Sequence, residues 1–211
     1  MDNNEKKELI KINSFGPPNS GKFAIFNRYI NDSFHEYYNW GGRDIMFKDI
    51  TINDKQLSLM FFSFKKINKP YQSLDLKPFF RNSDAVLLVF DLSYPKNYSN
   101  LDFWLNEIET KAPEDALVFL IGNKCELLGR EVEESYIDEF VQKHNNRICK
   151  YFEVSARNNI NINETFDFII RKILSEKENH PEKRRYINIT PTLENKDNKK
   201  KIKNKDKCYG K

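Results

Sequence analysis

Apolar positions along the chain fall into short continuous runs that alternate with stretches of helical spacing. Residues 9–15 form a strand-like run leading into Gly16-Pro17-Pro18-Asn19-Ser20-Gly21-Lys22. Beyond that loop Phe23, Ile25, Phe26, Tyr29 and Ile30 recur at the period of a helix. A polar stretch over 31–42 follows, holding Trp40 and two glycines. Residues 45–52 and 56–64 read as two strands joined by a tight turn at Asn53 and Asp54. Residues 71–81 predict a short helix. Two runs, 84–90 (DAVLLVF) and 116–122 (ALVFLIG), are almost wholly apolar, as in strands buried on both faces. Leu101, Trp104, Leu105 and Ile108 form one stripe of a helix over 98–111. Helices over 133–144 and 162–174 flank a strand over 149–154, and the pattern stops after Ser175.

The order is strand and helix, a two-strand hairpin, then strand and helix in alternation. It predicts an α/β fold: a three-layer sandwich whose six-stranded sheet is mostly parallel, with one antiparallel edge strand and helices on both faces. Ligands of such sheets bind at the carboxyl ends of the strands. The expected division is a body over 1–175 and a flexible basic tail over 176–211.

Composition narrows the class. The chain has 211 residues, of which 39% are hydrophobic, enough for one well-filled core. No apolar run reaches the roughly 18 residues of a membrane-spanning helix. The opening MDNNEKKE is too polar for a secretory signal. Cys125, Cys149 and Cys208 form no CxxC pair, which fits a reducing, cytoplasmic compartment and argues against a zinc module.

Charge is uneven. Residues 171–211 carry 14 Lys and Arg against 6 Asp and Glu, a net of +8, while residues 1–170 carry 21 against 25, a net of −4. Seven lysines crowd between Lys196 and Lys207. A run of this kind is a solvated tail or a segment for an anionic surface, membrane or nucleic acid. The acidic body has no basic face and argues against nucleic acid.

Gly16-x-x-x-x-Gly21-Lys22 has the spacing of a phosphate-binding loop between a strand and a helix. Backbone N–H groups and the helix N-terminus would cradle phosphate, and Lys22 would add a point charge. Phe23 stands where a Ser or Thr hydroxyl would hold magnesium. Pro17 and Pro18 lack N–H groups, and Asn19 tolerates a left-handed backbone.

Two more segments follow buried strands: Asn123-Lys124-Cys125-Glu126 and Ser155-Ala156-Arg157. With the loop at 16–22 they resemble the guanine-nucleotide sites of small GTPases, and 91–109 (DLSYPKNYSNLDFWLNEIE) resembles the Rab branch. The resemblance runs over about residues 7–175 and implies a P-loop NTPase-type fold. It implies a nucleotide site of Gly16, Asn19, Ser20, Gly21, Lys22, Phe23, Asn123, Lys124, Glu126, Ser155, Ala156 and Arg157. Asn123 would help hold the base and Lys124 would pack along the nucleotide. Glu126, where Asp is usual, would accept hydrogen bonds from guanine. The Ala156 N–H would meet the guanine carbonyl, and Arg157 replaces the usual Lys.

The resemblance breaks in the switch regions. Trp40 occupies the position of a Thr that binds magnesium and senses the γ-phosphate. Where Asp-Thr-Ala-Gly-Gln is usual, the chain reads Ser63-Phe64-Lys65-Lys66-Ile67. Three magnesium contacts and the water-orienting Gln are missing together. The expectation is a Rab-like GTP-binding protein of vesicle traffic, binding GTP or GDP, with magnesium weak or absent and hydrolysis impaired or lost. No catalytic or metal-ligating residue is assigned. The competing reading is a nucleotide-independent pseudoGTPase that docks proteins. Expected partners are Rab-type effectors or regulators and an anionic membrane surface met by the tail, on the cytosolic face of endomembranes. No nucleic-acid partner is expected, and the chain is expected to be a monomer. Cys208, fourth from the end, is a candidate for lipidation, although Tyr209-Gly210-Lys211 matches a prenylation box poorly.

Overall fold

The computed structural model describes residues 6–36, 45–63 and 75–188. Trp40, residues 64–74 and the lysine-rich end with Cys208 lie outside that set. Strand β1 (Lys6–Phe15) leads through the glycine loop into helix α1 (Lys22–Asn31). Strands β2 (Ile45–Ile52) and β3 (Lys55–Ser63) form the expected hairpin. Its corner holds Asn53 and Asp54 at φ 48° and 62°, the left-handed pair that a two-residue hairpin turn requires. Helix α2 (Lys77–Phe80), strand β4 (Ala85–Asp91), helices α3 (Pro95–Tyr98) and α4 (Leu101–Lys111), strand β5 (Leu117–Asn123), helix α5 (Glu134–Lys143), strand β6 (Ile148–Val154) and helix α6 (Ile162–Asn179) follow in alternation.

The strand order is β2-β3-β1-β4-β5-β6. All pairs along it are parallel except the hairpin, whose β2 is the antiparallel edge. Every residue of β4 is buried, so its alternating side chains supply two cores. Leu87 and Val89 join Ile10, Ile12, Leu59 and Phe61 beneath α1 and α6. Val86, Leu88 and Phe90 join Phe15, Val118 and Leu120 beneath α2, α4 and α5. Aromatic rings key each layer: Phe26 lies 4.9 Å from Phe61, and Phe15 lies 5.0 Å from Trp104.

Three expectations need correction. The helix expected over 98–111 begins at Leu101, and a separate short helix, Pro95–Tyr98, precedes it with Ser99 and Asn100 between them. The helix expected over 71–81 is described only as the single turn Lys77–Phe80; residues 71–74 lie outside the described set. The tail does not begin at 176. Helix α6 continues to Asn179, a 3-10 turn spans Pro181–Lys183, and strand β7 (Tyr186–Asn188) pairs antiparallel with β1, giving seven strands instead of six. Lys177 reads as a surface charge in sequence, yet it is 3% exposed. Its ammonium donates to Leu9 O at 3.2 Å and lies 3.0 Å from an Asp84 carboxylate oxygen. Pairing lets a charge take a core position that hydropathy alone denies it.

Candidate functional site

The ends of β1, β5 and β6 and the start of α1 converge at one end of the sheet. Gly16 leaves β1 at φ +128°, and a Cβ there would sit 2.4 Å from Val89 O. Gly21 heads α1 at φ +86°, and its Cβ would fall 2.2 Å from Asn123 Nδ2. Both positions therefore require glycine, for backbone angle and for space. Asn19 takes the left-handed conformation at φ 62°, as its residue type suggests. The Ser20 hydroxyl donates to Pro17 O at 2.9 Å and closes the loop.

Lys22 folds back into that loop. Its ammonium donates to Gly16 O at 3.0 Å and Pro17 O at 2.5 Å, with Ser20 Oγ at 3.4 Å. The side chain is buried, and burial alone pulls its pKa from 10.5 down to about 7. The centre is a cationic group among carbonyl oxygens, poised for an anion that would favour its charged form.

Asn123 ties the loops together. Its Nδ2 donates to Ser20 O at 2.9 Å, and its Oδ1 accepts from Ala156 N at 3.2 Å. One side chain at the end of β5 thus joins the phosphate loop to the loop after β6. Lys124 has φ 68° and places its ammonium 2.5 Å from Asp91 Oδ2. Asp91 Oδ1 in turn accepts from Ser93 N and Oγ at 2.9 and 2.7 Å. Glu126 follows, and its Oε2 is buried without a hydrogen-bond partner among the described residues. A buried carboxylate oxygen of that kind is costly unless a donor arrives.

Ser155 Oγ accepts from Asn158 N at 2.9 Å and shapes the loop around Ala156. Arg157 reaches outward, bonding Glu36 Oε1 at 2.8 Å and lying 5.9 Å from the Phe34 ring centroid. Sequence reasoning missed Arg28, Phe34 and Glu36. Arg28 donates to Ala156 O at 2.9 Å and to Arg157 O at 3.0 Å, so α1 steadies the base-side loop. In sequence Arg28 is only a basic residue in a helix's last turn, and its partners lie 128 and 129 positions away.

The other half of the site has a different character. Phe23 is half-buried at the second position of α1 and offers no ligand atom. Ser63 is buried at the end of β3, in register with Ser14, whose hydroxyl has no partner among the described residues. Among the described residues no group of three or more His, Cys, Asp or Glu side chains could hold a metal ion.

The Ras family model matches residues 11–175. The chain belongs to the Ras family. Within it the relatives are Rab proteins. Ras-related protein Rab-7b of Paramecium octaurelia is 31% identical over 210 residues, covering 97% of this chain and 98% of that protein. Ras-related protein RabH of Dictyostelium discoideum is 30% identical, covering 91% and 94%. Ras-related protein RABG3b of Arabidopsis thaliana is 31% identical, covering 82% and 87%. The chain is thus a Rab-like member of the Ras superfamily, and that membership implies a guanine nucleotide. The Rab-like site brings Gly16, Lys22, Asn123 and Ala156 into one bonded cluster. Lys124 and Glu126 follow Asn123 in the same loop, and Phe23 follows Lys22 at the start of α1. No helix among the described residues is long and apolar enough to cross a membrane.

Proposed function

We propose that this chain is a Rab-like guanine-nucleotide-binding protein of vesicle traffic whose magnesium-dependent hydrolysis is impaired or lost. One observation carries the binding half of that reading: Glu126 Oε2, in the loop after β5, is buried without a hydrogen-bond partner among the described residues. Guanine offers ring N–H and amino donors on one edge, and a carboxylate that accepts them selects guanine over adenine. The Ala156 N–H, bonded to the Asn123 amide oxygen, would turn to the guanine carbonyl, and Lys22 would supply charge for the phosphates.

The metal half supports the loss of chemistry. Magnesium demands near-octahedral oxygen ligation. Phe23 offers no oxygen, Ser63 offers a neutral hydroxyl, and Trp40 in sequence offers none. Phosphoryl transfer depends on positioning and charge neutralisation, so these losses fall on the reaction more heavily than on the base. The lysine-rich tail would hold the protein on the cytosolic face of an anionic membrane, with Cys208 as a lipid acceptor, and effectors or regulators would meet the folded body.

A second reading rests on Lys22. Its ammonium is already held by the loop's own oxygens, so the loop is self-consistent without phosphate, as a nucleotide-independent docking module would need. Titration calorimetry of the full chain with GDP, GTP and ADP, each with and without magnesium, separates the two. The expected result is guanine-selective binding with little metal dependence and no measurable GTP turnover. Magnesium-dependent turnover would overturn the proposal, and no binding of any nucleotide would establish the docking module.

A further inference from the structure

The end of the sheet opposite the nucleotide site carries a buried charge cluster that joins the C-terminal segment to the turn after α2. Asp84 is its centre. Its Oδ2 accepts from Lys11 N at 2.7 Å and from the Arg185 guanidinium, and its Oδ1 lies 3.0 Å from Lys177 Nζ. Arg185 also donates to Asn82 O, and Leu9 N donates to Arg185 O at 2.7 Å. On the other side of the same turn, Lys11 Nζ donates to Phe79 O and Arg81 O, each at 2.7 Å. Those carbonyls close α2, where a helix end leaves acceptors unsatisfied. Asn13 Nδ2 adds a bond to Phe79 O at 2.8 Å.

Residues 79–84 are therefore gripped from two sides, by Arg185 from the C-terminal segment and by Lys11 and Asn13 from β1. The ring of Phe79, held at the top of this turn, packs 4.7 Å from Phe62 on β3. We propose that residues 180–188 are a strap that clamps the turn between α2 and β4, so that strap docking and the order of α2 form one coupled equilibrium. The segment before α2 follows the position where the Rab family carries its second switch, so the strap links the root of the tail to that side of the body. This inference does not depend on nucleotide binding.

The physical basis is shared ligation. Asp84 and Lys177 are nearly buried, with side-chain exposures of 10% and 4%. Removing one member leaves the others imperfectly compensated, unlike the loss of a surface pair. Arg185 and Lys11 touch the same short turn, so loosening one loosens what the other holds. Coupling of this kind is reciprocal.

Hydrogen exchange of the full chain, without added nucleotide, tests it. In Arg185→Met, amides of both 183–188 and 79–84 are expected to exchange at least tenfold faster, while those of β5 and β6 stay unchanged. In Lys11→Met the same two segments are expected to respond together. If Lys11→Met does not fold, Ser83→Ala, which removes a hydroxyl bonded to Phe80 O at 2.7 Å, reads the reciprocal effect. A change confined to 183–188 in the Arg185 variant, with 79–84 as protected as before, would overturn the proposal.

Discussion

The two halves of the candidate nucleotide site are built differently. The base-side half is a closed network: Asn123 bridges two loops, Lys124 is paired with Asp91, and Arg28 anchors the loop at Ala156. One acceptor in it, Glu126 Oε2, is left over. The phosphate-and-metal half has a cation held by its own loop, an aromatic ring at Phe23 and a hydroxyl at Ser63 where the family uses oxygen ligands and charge. The contrast separates recognition from reaction. Recognition needs a few fixed donors and acceptors on rigid strand ends. Reaction needs a metal and a positioned water as well, and so it depends on ligands that the strands beneath do not supply.

The largest expected effect breaks the intact half. Glu126→Ala would remove the acceptor proposed for two charge-assisted bonds to guanine, each worth about 1.5–3 kcal/mol. GDP affinity is expected to fall by roughly a hundredfold or more. The thermal midpoint of the free protein should hold or rise, because an unpartnered buried carboxylate oxygen is gone. Paired calorimetry and thermal melts check this. Unchanged affinity in the variant would place guanine recognition elsewhere.

Much of this contrast is legible in sequence because it rests on local demands. Gly16 and Gly21 are glycines for backbone angle and space, and β4 and β5 read as buried strands because nearly every residue is apolar. What sequence hid is long-range. Arg28 and Glu36 become site residues only when the end of α1 meets the loop at 155–159. Lys177 and Arg185 resemble the solvated charges of a tail until Glu8 and Asp84 are brought beneath them. Hydropathy treats each lysine alone, whereas burial of a charge is decided by its partner.

A smaller effect comes from repairing the deficient half. Phe23→Ser with Ser63→Asp adds a hydroxyl and exchanges a neutral hydroxyl for a carboxylate on the proposed metal side. About a tenfold strengthening of GTP affinity by magnesium is expected, where the parent shows little, while affinity for GDP without metal stays near its parent value. Isothermal titrations across a magnesium series read this directly. Equal metal dependence in parent and variant would mean that the defect lies at the Trp40 position and not at these two.

The smallest effect per step is a pH dependence whose sign differs between folding and binding. Lys22 has a folded pKa of about 7 against an ordinary 10.5, because burial disfavours its charge. Below pH 7 both folded and unfolded chains hold the proton, and the cost of burying the cation is present in full. Between about 7 and 10.5 the unfolded chain binds the extra proton, so stability rises with pH across that window. Lys11, lowered to about 8 chiefly by burial and then by Arg185, adds to the rise above pH 8. Tyr29, raised to about 12 mainly by burial, opposes it above pH 10, where the unfolded phenol ionises first. Phosphate acts the other way on Lys22, since an anion beside the ammonium raises its pKa. Binding above pH 7 therefore takes up a proton, and nucleotide affinity should fall by up to about tenfold per pH unit. Lys22→Met should flatten the binding profile above pH 7 and leave the rise in stability from Lys11 and from Lys48, whose pKa burial also lowers. A wild-type affinity that stays level from pH 7 to 9 would mean that Lys22 remains charged in its loop, and that the phosphate half is more completely formed than its ligands suggest.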